Sequence, residues 1–340
     1  MPSHRAILAV VAAAVALGVA ALAVVVLVRD DDAIQANGDM IAFSCKEPNN
    51  TWYAICIANS DGTDRRRITK QMQTSNPTWS PNGQQIAFTR NEEVGEYLTY
   101  TEDDVFVMDA DGDNVRQLTP ERDGRHALRP GWSPDGREIA FVLGRSVPSG
   151  YPRFGDLFVI DVNRGDLRRL TKGGRATTPD WSPDGREIVF TRAEGISTSH
   201  PNQDLYVIDA GGGEPRRLTR TPRLYETTPA WSPDGSRIAF TRWTNLGPSD
   251  GKSVVYIINR DGSGERLILA KRYFGHYPFN LAWSPDGRTL AFETSPNRFC
   301  TAISLIDVDT GAVRPLTSCE RQRESTLSPD WQPNPGTAEH

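Results

Sequence analysis

The chain has 340 residues, with 38 Lys and Arg against 43 Asp and Glu, which gives a net charge of -5 at pH 7. A general nucleic-acid-binding protein carries a basic surface, so this acidic balance predicts no nucleic-acid partner. Length alone would allow two or three domains, but an internal repeat favours one.

Near the N-terminus, residues 6 to 28 form an uninterrupted apolar segment of Ala, Val, Leu, Ile and one Gly. As a helix these 23 residues would extend about 34 Å, enough to cross a hydrocarbon core of about 30 Å. We predict a transmembrane anchor, preceded by a cytoplasmic N-terminus of residues 1 to 5. The alternative is a signal sequence cleaved after the small-x-small motif Ala21-Leu-Ala23.

Charges on either side of this segment predict its orientation. His4 and Arg5 precede it, whereas Arg29 is followed by three aspartates. The positive-inside rule then keeps the short end in the cytoplasm. We expect a single-pass cell-membrane protein with its main domain on the extracytoplasmic side, or a secreted or periplasmic protein if the signal is cleaved.

The four cysteines are consistent with export. Cys45 ends one apolar run and Cys56 opens the next, and Cys300 and Cys319 bracket the last pair of runs in the same way. Antiparallel hairpins would bring each pair together, which predicts the disulfides Cys45–Cys56 and Cys300–Cys319. A zinc site is the alternative for four cysteines, but these spacings match no zinc pattern.

A short phrase recurs six times along the chain. Five copies read Trp-Ser-Pro-Asp-Gly or Trp-Ser-Pro-Asn-Gly, and the last reads Trp-Gln-Pro-Asn-Pro. Their 48- to 53-residue spacing suits one small sheet per repeat. Proline suits the second position of a type I turn, and the glycine that ends the phrase can take the positive φ that closes it, so the phrase is predicted to be a turn. The copies begin at Trp79, Trp132, Trp181, Trp231, Trp283 and Trp331.

Each repeat contains four short apolar runs separated by turn residues, which predicts one four-stranded propeller blade. The fourth run carries prolines and paired arginines such as Arg216 and Arg217. Both features are typical of an edge strand, so this run is predicted to be outermost and the Trp run innermost.

The two ends of the repeat region complement each other. Met40–Phe43 is a second-strand run without a Trp run before it, and Pro329-Asp-Trp331 is a Trp run with nothing after it. The predicted fold is therefore all-β: a six-bladed β-propeller of four-stranded antiparallel blades over residues 39 to 333, closed by the C-terminal strand. A linker (29 to 38) and one transmembrane helix precede it, and a disordered tail (334 to 340) follows.

The repeat resembles those of TolB-like propellers. It reads Trp-Ser-Pro-Asp-Gly-Arg-x-Ile-Ala-Phe, then Asp-Leu-Tyr-Val-Ile-Asp and Arg-Arg-Leu-Thr, and the match covers residues 39 to 333. The resemblance implies a six-bladed propeller and a binding function, since TolB is a periplasmic binding protein of the Tol envelope system. TolB has an α/β domain before its propeller, whereas here residues 29 to 38 alone separate the apolar segment from the first strand.

Prolyl-oligopeptidase-type propellers have similar repeats. We identify neither their hydrolase domain nor a Gly-x-Ser-x-Gly nucleophile elbow, so peptidase activity of that kind is not expected.

Strand order predicts that one face of the propeller carries tight turns and the other carries the long loops. Long loops on a rigid scaffold are the usual place for function. The short linker enters from the tight-turn side, so the long-loop face is expected to point away from the membrane. Arginine and aromatic residues there suit contacts with anionic groups, sugars or acidic peptides. The candidate ligand-binding residues, where these loops turn toward the axis, are Arg125, His126, Arg129, Tyr225, His276, Tyr277 and Asn280.

Two patterns raise the possibility of metal binding. His126, His200 and His276 all fall in long loops, and Asp109, Asp111 and Asp113 have the spacing of a calcium loop. The equivalent turns of other repeats, such as Asp209-Ala-Gly-Gly-Gly and Asn259-Arg-Asp-Gly-Ser, have only one of the three aspartates, so turn chemistry is the simpler explanation. We predict no cofactor and no metal site.

These observations favour a non-catalytic, extracytoplasmic, membrane-tethered propeller that binds an envelope protein, a peptide or a glycan through its long-loop face. The alternatives are a propeller enzyme, such as a metal-assisted lyase or lactonase, that uses loop His and Arg residues, and a purely structural sensor or scaffold subunit.

Overall fold

The computed structural model describes residues 40–46, 52–70, 73–92, 102–119, 125–145, 154–194, 202–222, 224–243, 253–269, 280–297, 300–318 and 325–333. The chain separates into two compact units, Met1–Gln35 and Ala36–His340, and every described residue belongs to the second. The predicted membrane segment, linker and tail lie outside the described residues. Within the described ranges, no helix is long and apolar enough to cross a membrane.

The described residues form β-strands and turns without a helix, as the all-β prediction requires. In chain order the strands are β1 (Met40–Lys46), β2 (Ala54–Asn59), β3 (Arg66–Arg67), β4 (Thr74–Trp79), β5 (Gln85–Glu92), β6 (Glu102–Asp109), β7 (Arg116–Gln117), β8 (Arg125–Trp132), β9 (Glu138–Arg145), β10 (Gly155–Asp161), β11 (Leu167–Arg169), β12 (Ala176–Trp181), β13 (Glu187–Glu194), β14 (Asn202–Asp209), β15 (Arg216–Arg217), β16 (Tyr225–Trp231), β17 (Arg237–Trp243), β18 (Ser253–Asn259), β19 (Arg266–Leu269), β20 (Ala282–Trp283), β21 (Thr289–Asn297), β22 (Cys300–Asp307), β23 (Val313–Pro315) and β24 (Ser325–Trp331).

These strands pair into antiparallel sets of four, referred to below as blades. Blade 1 has the strand order β24-β1-β2-β3. Blades 2, 3 and 4 are β4 to β7, β8 to β11 and β12 to β15. Blades 5 and 6 are β16 to β19 and β20 to β23. In each blade the Trp run is the first strand and the Arg-containing run is the fourth, as predicted.

Blade 1 joins the two ends of the repeat region. Ile41 of β1 is paired with Trp331 of β24, and Lys46 with Ser325. The predicted pairing of the last Trp run with the first apolar run is therefore present.

The core lies within and between the blades. The second strand of each blade buries one phenylalanine at the same repeat position, and none of these side chains is more than 1% exposed. Full burial of such a side chain contributes about 1.5 to 3 kcal/mol. The six are Phe43, Phe88, Phe141, Phe190, Phe240 and Phe292.

The recurring phrase is a turn, as predicted, and it also packs one blade against the next. Within the turn, Ser182 Oγ donates to Asp184 Oδ1 (2.6 Å) and accepts the N–H of Glu187 (2.9 Å). Gly235 has φ +67°, and a Cβ there would lie 3.1 Å from Cγ of Pro183 in the preceding blade. The same approach is made by Gly136, Gly185 and Gly287, where a Cβ would lie 3.2 to 3.7 Å from a proline of the preceding blade.

The Arg-Arg-Leu-Thr run also has a structural role. Thr219 Oγ1 accepts the N–H of Leu205, 14 residues earlier, at 2.9 Å. The same bond, with the same separation, is made by Thr69, Thr119, Thr171 and Thr317. The threonine that follows the fourth strand thus provides a hydrogen-bond acceptor for the backbone N–H of an apolar residue in the third strand.

One predicted disulfide is described in full. Cys45 of β1 and Cys56 of β2 are bonded, with Cα atoms 5.8 Å apart. Cys300 is also disulfide-bonded, and its predicted partner, Cys319, lies outside the described residues.

Candidate functional site

The first strands of the blades surround a central cavity of about 240 Å³. Around it β24 contacts β4, β4 contacts β8, β8 contacts β12, β12 contacts β16, β16 contacts β20, and β20 contacts β24. Each first strand leads into its Trp-containing turn, so it runs from the long-loop end of the cavity to the tight-turn end. Its successive residues therefore line successive depths of the cavity.

The outermost layer consists of one residue per blade with left-handed backbone. Each has φ between 48° and 54°, although none is a glycine. In the fully paired first strands this residue occupies a bulge, where the register with the second strand shifts. A left-handed non-glycine residue costs on the order of 1 kcal/mol, so the surrounding contacts must maintain it. The layer comprises Asn76, Arg129, Thr178, Thr228, Asn280 and Ser328.

Side chains of this layer are hydrogen-bonded to one another at the long-loop end. Arg129 Nη1 donates to Asn280 Oδ1, and Asn280 Nδ2 donates to Glu293 Oε1 and to Ser328 Oγ (3.1 Å). Ser328 Oγ donates to Asn76 Oδ1 at 3.1 Å, and the Ser328 N–H donates to Glu293 Oε1 at 2.6 Å. The result is a polar network that joins blades 1, 2, 3 and 6.

Arg129 spans the cavity. It belongs to β8, and Asn280 lies two residues before β20. In the cycle of contacts these two strands are separated by two strands on either side, so they are opposite each other. A cation from one wall therefore meets an amide from the other at the centre of the opening.

Two carboxylates lie deeper, directly before the tryptophan of their strands. Asp180 Oδ2 accepts the N–H of Trp231, and Asp330 Oδ2 accepts the N–H of Trp79, each at 2.7 Å and each in the next blade. Burial, and to a lesser extent the charge of Asp330, raises the pKa of Asp180 to about 7. Burial raises the pKa of Asp330 to about 6. The cavity thus carries a cation at its long-loop end and, at greater depth, two carboxyl groups on opposite walls.

Two of the predicted ligand-binding residues, Arg129 and Asn280, line this cavity, whereas the other described ones do not. Arg125 is exposed. His126 is 3% exposed, and its Nδ1 lies 3.2 Å from Oδ2 of Asp103 in blade 2. Tyr225 packs edge-on against Trp243 with ring centroids 5.9 Å apart, and burial raises its pKa. These three residues therefore lie outside the lining of the cavity.

The remaining predictions fall partly outside the described residues. His276, Tyr277 and His200 lie there. In the described part of the chain, no group of three or more His, Cys, Asp or Glu side chains is arranged to hold a metal ion. Asp111 Oδ1 accepts the N–H of Asp113 at 2.9 Å, a turn-stabilising bond.

Asp180, Asp330 and Glu293 were not among the sequence-based candidates. A signal for the first two exists: Pro-Asp-Trp occurs in only two of the six copies, three repeats apart. Glu293 occupies a position where the other repeats have Ser44, Thr89, Val142, Thr191 and Thr241.

Contrary to the prediction, the chain contains one match to the letters of the nucleophile-elbow pattern. Gly247-Pro-Ser-Asp-Gly251 does match the letters Gly-x-Ser-x-Gly. It lies between β17 and β18, outside the described residues, and these strands pair with each other antiparallel from Trp243↔Ser253 onward. A nucleophile elbow joins a strand to a helix, so this match does not have the required context.

Comparison with solved structures identifies similar propellers. TolB from Acinetobacter baumannii is 20% identical, with a TM-score of 0.67 over 87% of this chain and 67% of that one. A protein designated TolB from Agrobacterium tumefaciens is 21% identical, with a TM-score of 0.58 over 88% and 96%. An oligogalacturonate lyase in complex with manganese is 16% identical, with a TM-score of 0.51 over 84% and 76%. Likeness at this identity shows the fold alone.

Sequence comparison establishes the family. No curated protein matches the chain significantly. The profile of the TolB beta propeller domain, however, matches residues 38–195 and 94–334, which together span most of the chain. Together with the repeated four-stranded blades and the Trp-containing turns that pack one blade against the next, this match shows that the chain belongs to the TolB beta propeller domain family.

Proposed function

We propose that the six blades close into one non-catalytic propeller that binds an envelope protein, a peptide or a glycan at the long-loop end of its central cavity. The observation that carries this proposal is the meeting of Arg129 and Asn280 from opposite walls at that opening. Ligand sites are concave and contain a few convergent polar groups on a rigid frame.

The chemistry of the opening supports recognition of a polar, hydrogen-bonding segment. Of the six residues in the outer layer, five have uncharged hydroxyl or amide side chains and one is a cation. Amide and hydroxyl groups both donate and accept, and the guanidinium binds carboxylates or carbonyls. Since the surrounding contacts hold each of these residues in its left-handed conformation, a bound segment would meet a pre-organised surface.

We further propose that residues 6 to 28 tether the propeller to the cell membrane with its blades on the extracytoplasmic side. The disulfide between Cys45 and Cys56 and the disulfide-bonded Cys300 support an oxidising compartment.

Photo-crosslinking of the full-length protein in intact cells tests this proposal. A crosslinking residue at Asn76, in the outer layer, should form a discrete adduct that Arg129→Ala abolishes and Arg125→Ala retains. Arg125 is a suitable control because it is in the same strand but exposed outside the cavity. An identical adduct from a crosslinker at Asp111, in a turn at the other end of its blade, would contradict the proposal.

A propeller enzyme is the second candidate, and the likeness to the manganese-bound oligogalacturonate lyase motivates it. Metal analysis of the purified protein separates the two. Stoichiometric metal that is lost in His126→Ala or His276→Ala would favour the enzyme.

A further inference from the structure

We propose that the disulfides of blades 1 and 6 form a redox-sensitive latch on β24, the strand that lies between these two blades. With the bonds formed, β24 is held in place. With the bonds reduced, β24 separates from blades 1 and 6 far more often, while blades 2 to 5 stay folded. Because β24 supplies Ser328 and Asp330 to the central cavity, opening of this strand also opens the cavity.

The cysteines are confined to the two blades that meet at β24. Cys45 and Cys56 are bonded in blade 1, and Cys300, in blade 6, is also disulfide-bonded. Cys319 follows β23 and precedes β24 in the sequence. No cysteine occurs between Cys56 and Cys300, so blades 2 to 5 have none.

The bond in blade 1 replaces a contact that other blades make by packing. In blades 2, 4 and 5, an arginine two residues after the buried phenylalanine lies over the aromatic ring that pairs with that phenylalanine. These are Arg90 over Phe106, Arg192 over Tyr206 and Arg242 over Tyr256, with the guanidinium carbon 4.4 to 5.3 Å from the ring centroid. In blade 1, Cys45 has the position of the arginine and Cys56 that of the ring. Only blade 1 of these four therefore depends on redox conditions at this point.

This disulfide lies on the side of blade 1 that packs against blade 6. Cys45 and Cys56 are 4% and 5% exposed. They share one buried cluster with Trp331 of β24 and with Ile303 and Leu305 of β22. A reductant therefore reaches the bond only when this junction opens, so the redox state and the attachment of β24 are coupled.

Both cysteine sites also lie beside the start of β24. Thr301, next to Cys300, pairs with Ser325 in a parallel bridge between the blades. From the other side, Cys45 of β1 pairs with Thr326. The first two residues of β24 are thus flanked by strands that carry a disulfide.

Chain connectivity makes this strand the one that opens most easily. Blades 2 to 6 consist of strands that follow one another in the chain, whereas blade 1 takes β24 from the far end of the repeat region. No short turn joins β24 to β1, so the two can separate without unfolding of the other blades.

Reduction of each bond is a two-electron step. A dithiol such as dithiothreitol supplies two electrons, the Sγ–Sγ bond breaks, and two protons complete the cysteine thiols. The dithiol becomes its own cyclic disulfide.

Hydrogen exchange of the full-length protein, measured by mass spectrometry, tests this proposal. After reduction with excess dithiothreitol, we expect the protection of Ser325–Trp331 to fall about 30-fold or more, the effect of losing one disulfide. Ala176–Trp181, the equivalent strand of blade 4, is the internal control and should keep its protection. Alkylation of the same samples with iodoacetamide counts the thiols formed.

Two double variants separate the bond from other effects of the reductant. Cys45→Ala with Cys56→Ala should lower the protection of β24 without any reductant. Cys45→Arg with Cys56→Phe introduces the pair that blade 2 has, so its β24 should be better protected than in the alanine variant.

Four outcomes would overturn the proposal. These are equal losses of protection in β12 and β24, unchanged protection of β24 in the reduced protein, disulfides that resist reduction in the folded protein, and an alanine variant whose β24 is as protected as in the wild type. The reduction experiment uses the unaltered chain, so it decides the question even where a variant does not fold.

Discussion

Arg129 and Asn280 lie 151 residues apart in the chain, yet the guanidinium of one donates directly to the side-chain carbonyl of the other across the central cavity. The side-chain N–H of Asn280 in turn donates to Glu293 Oε1. A cation and an anion from different blades are thus connected through one amide.

Because the two side chains interact directly, their substitution should be non-additive. In a double-mutant cycle of Arg129→Ala and Asn280→Ala, we expect a coupling free energy of about 0.5 to 3 kcal/mol. Denaturant unfolding of the four proteins measures it. The control cycle pairs Arg125→Ala with Asn280→Ala and should be additive; equal coupling in both cycles would show that the bridge has no specific energetic role.

Because the pKa of Asp180 is raised to about 7, the direction in which its contribution to stability changes with pH can be predicted. An aspartate in the unfolded chain titrates near 3.9, so between about pH 4 and pH 7 the folded protein binds the additional proton. Its contribution to stability therefore falls as pH rises through this window and is constant above it. Asp180→Asn retains an acceptor for the Trp231 N–H, so it should reduce this slope and raise stability at pH 8.

Asp184 provides a control of opposite sign. Its hydrogen bonds with Ser182 and Arg260 outweigh the effect of burial and lower its pKa to about 2. The stability it contributes is present above about pH 4 and is lost as pH falls toward 2. Asp184→Asn should therefore lower stability by a constant amount above about pH 4 and reduce the pH dependence only below it, and a changed slope in the Asp180 window would contradict this assignment.

The energetic effect of packing between neighbouring turns can be measured separately from that of the left-handed glycine backbone. Gly235 and Gly165 have similar positive φ angles of 67° and 73°. A Cβ on Gly235 would approach Pro183, whereas nothing lies within 4 Å of one on Gly165. Both alanine variants should lose about 1 to 2 kcal/mol from the left-handed backbone, and Gly235→Ala should lose more. Equal losses in thermal unfolding would mean that the Pro–Gly contact adds nothing.

The arginine contacts between blades should contribute measurably where they are made. Arg168 donates to the Ala210 carbonyl at 2.7 Å and is paired with Glu138 at 3.2 Å. Arg66 has the equivalent position in blade 1 but makes no such bond to blade 2 among the described residues. We expect Arg168→Ala to destabilise the protein by about 1 kcal/mol, and Arg66→Ala to remain within about 0.5 kcal/mol of the wild type. Comparable losses would mean that the hydrogen bond from Arg168 to the next blade adds no stability of its own.

Much of the architecture follows from local patterns. Proline and glycine in the Trp-containing phrase specify a turn, and arginine pairs with proline specify an edge strand; both depend on neighbours in sequence. The pairing of Ile41 with Trp331 was predictable because each end of the repeat lacks what the other supplies.

The candidate site was predicted less completely. Arg129 and Asn280 were identified, but His126 is buried beside Asp103, and Asp180 and Asp330 were not identified. Loop position alone does not show whether a side chain points to the axis or into a junction between blades. Where Arg125, His126 and Arg129 point depends on the bulge in β8, which shifts the strand register between Leu128 and Gly131.

The amino-acid sequence by itself determined the repeat, the strand order within each blade and the way the chain ends meet, since these depend on turn chemistry and alternating burial over a few residues. Only the tertiary structure decided that Arg129 meets Asn280 and that Asp180 interacts electrostatically with Asp330. These pairs are 151 and 150 residues apart, and no local pattern specifies which side chains on opposite walls of the cavity come together.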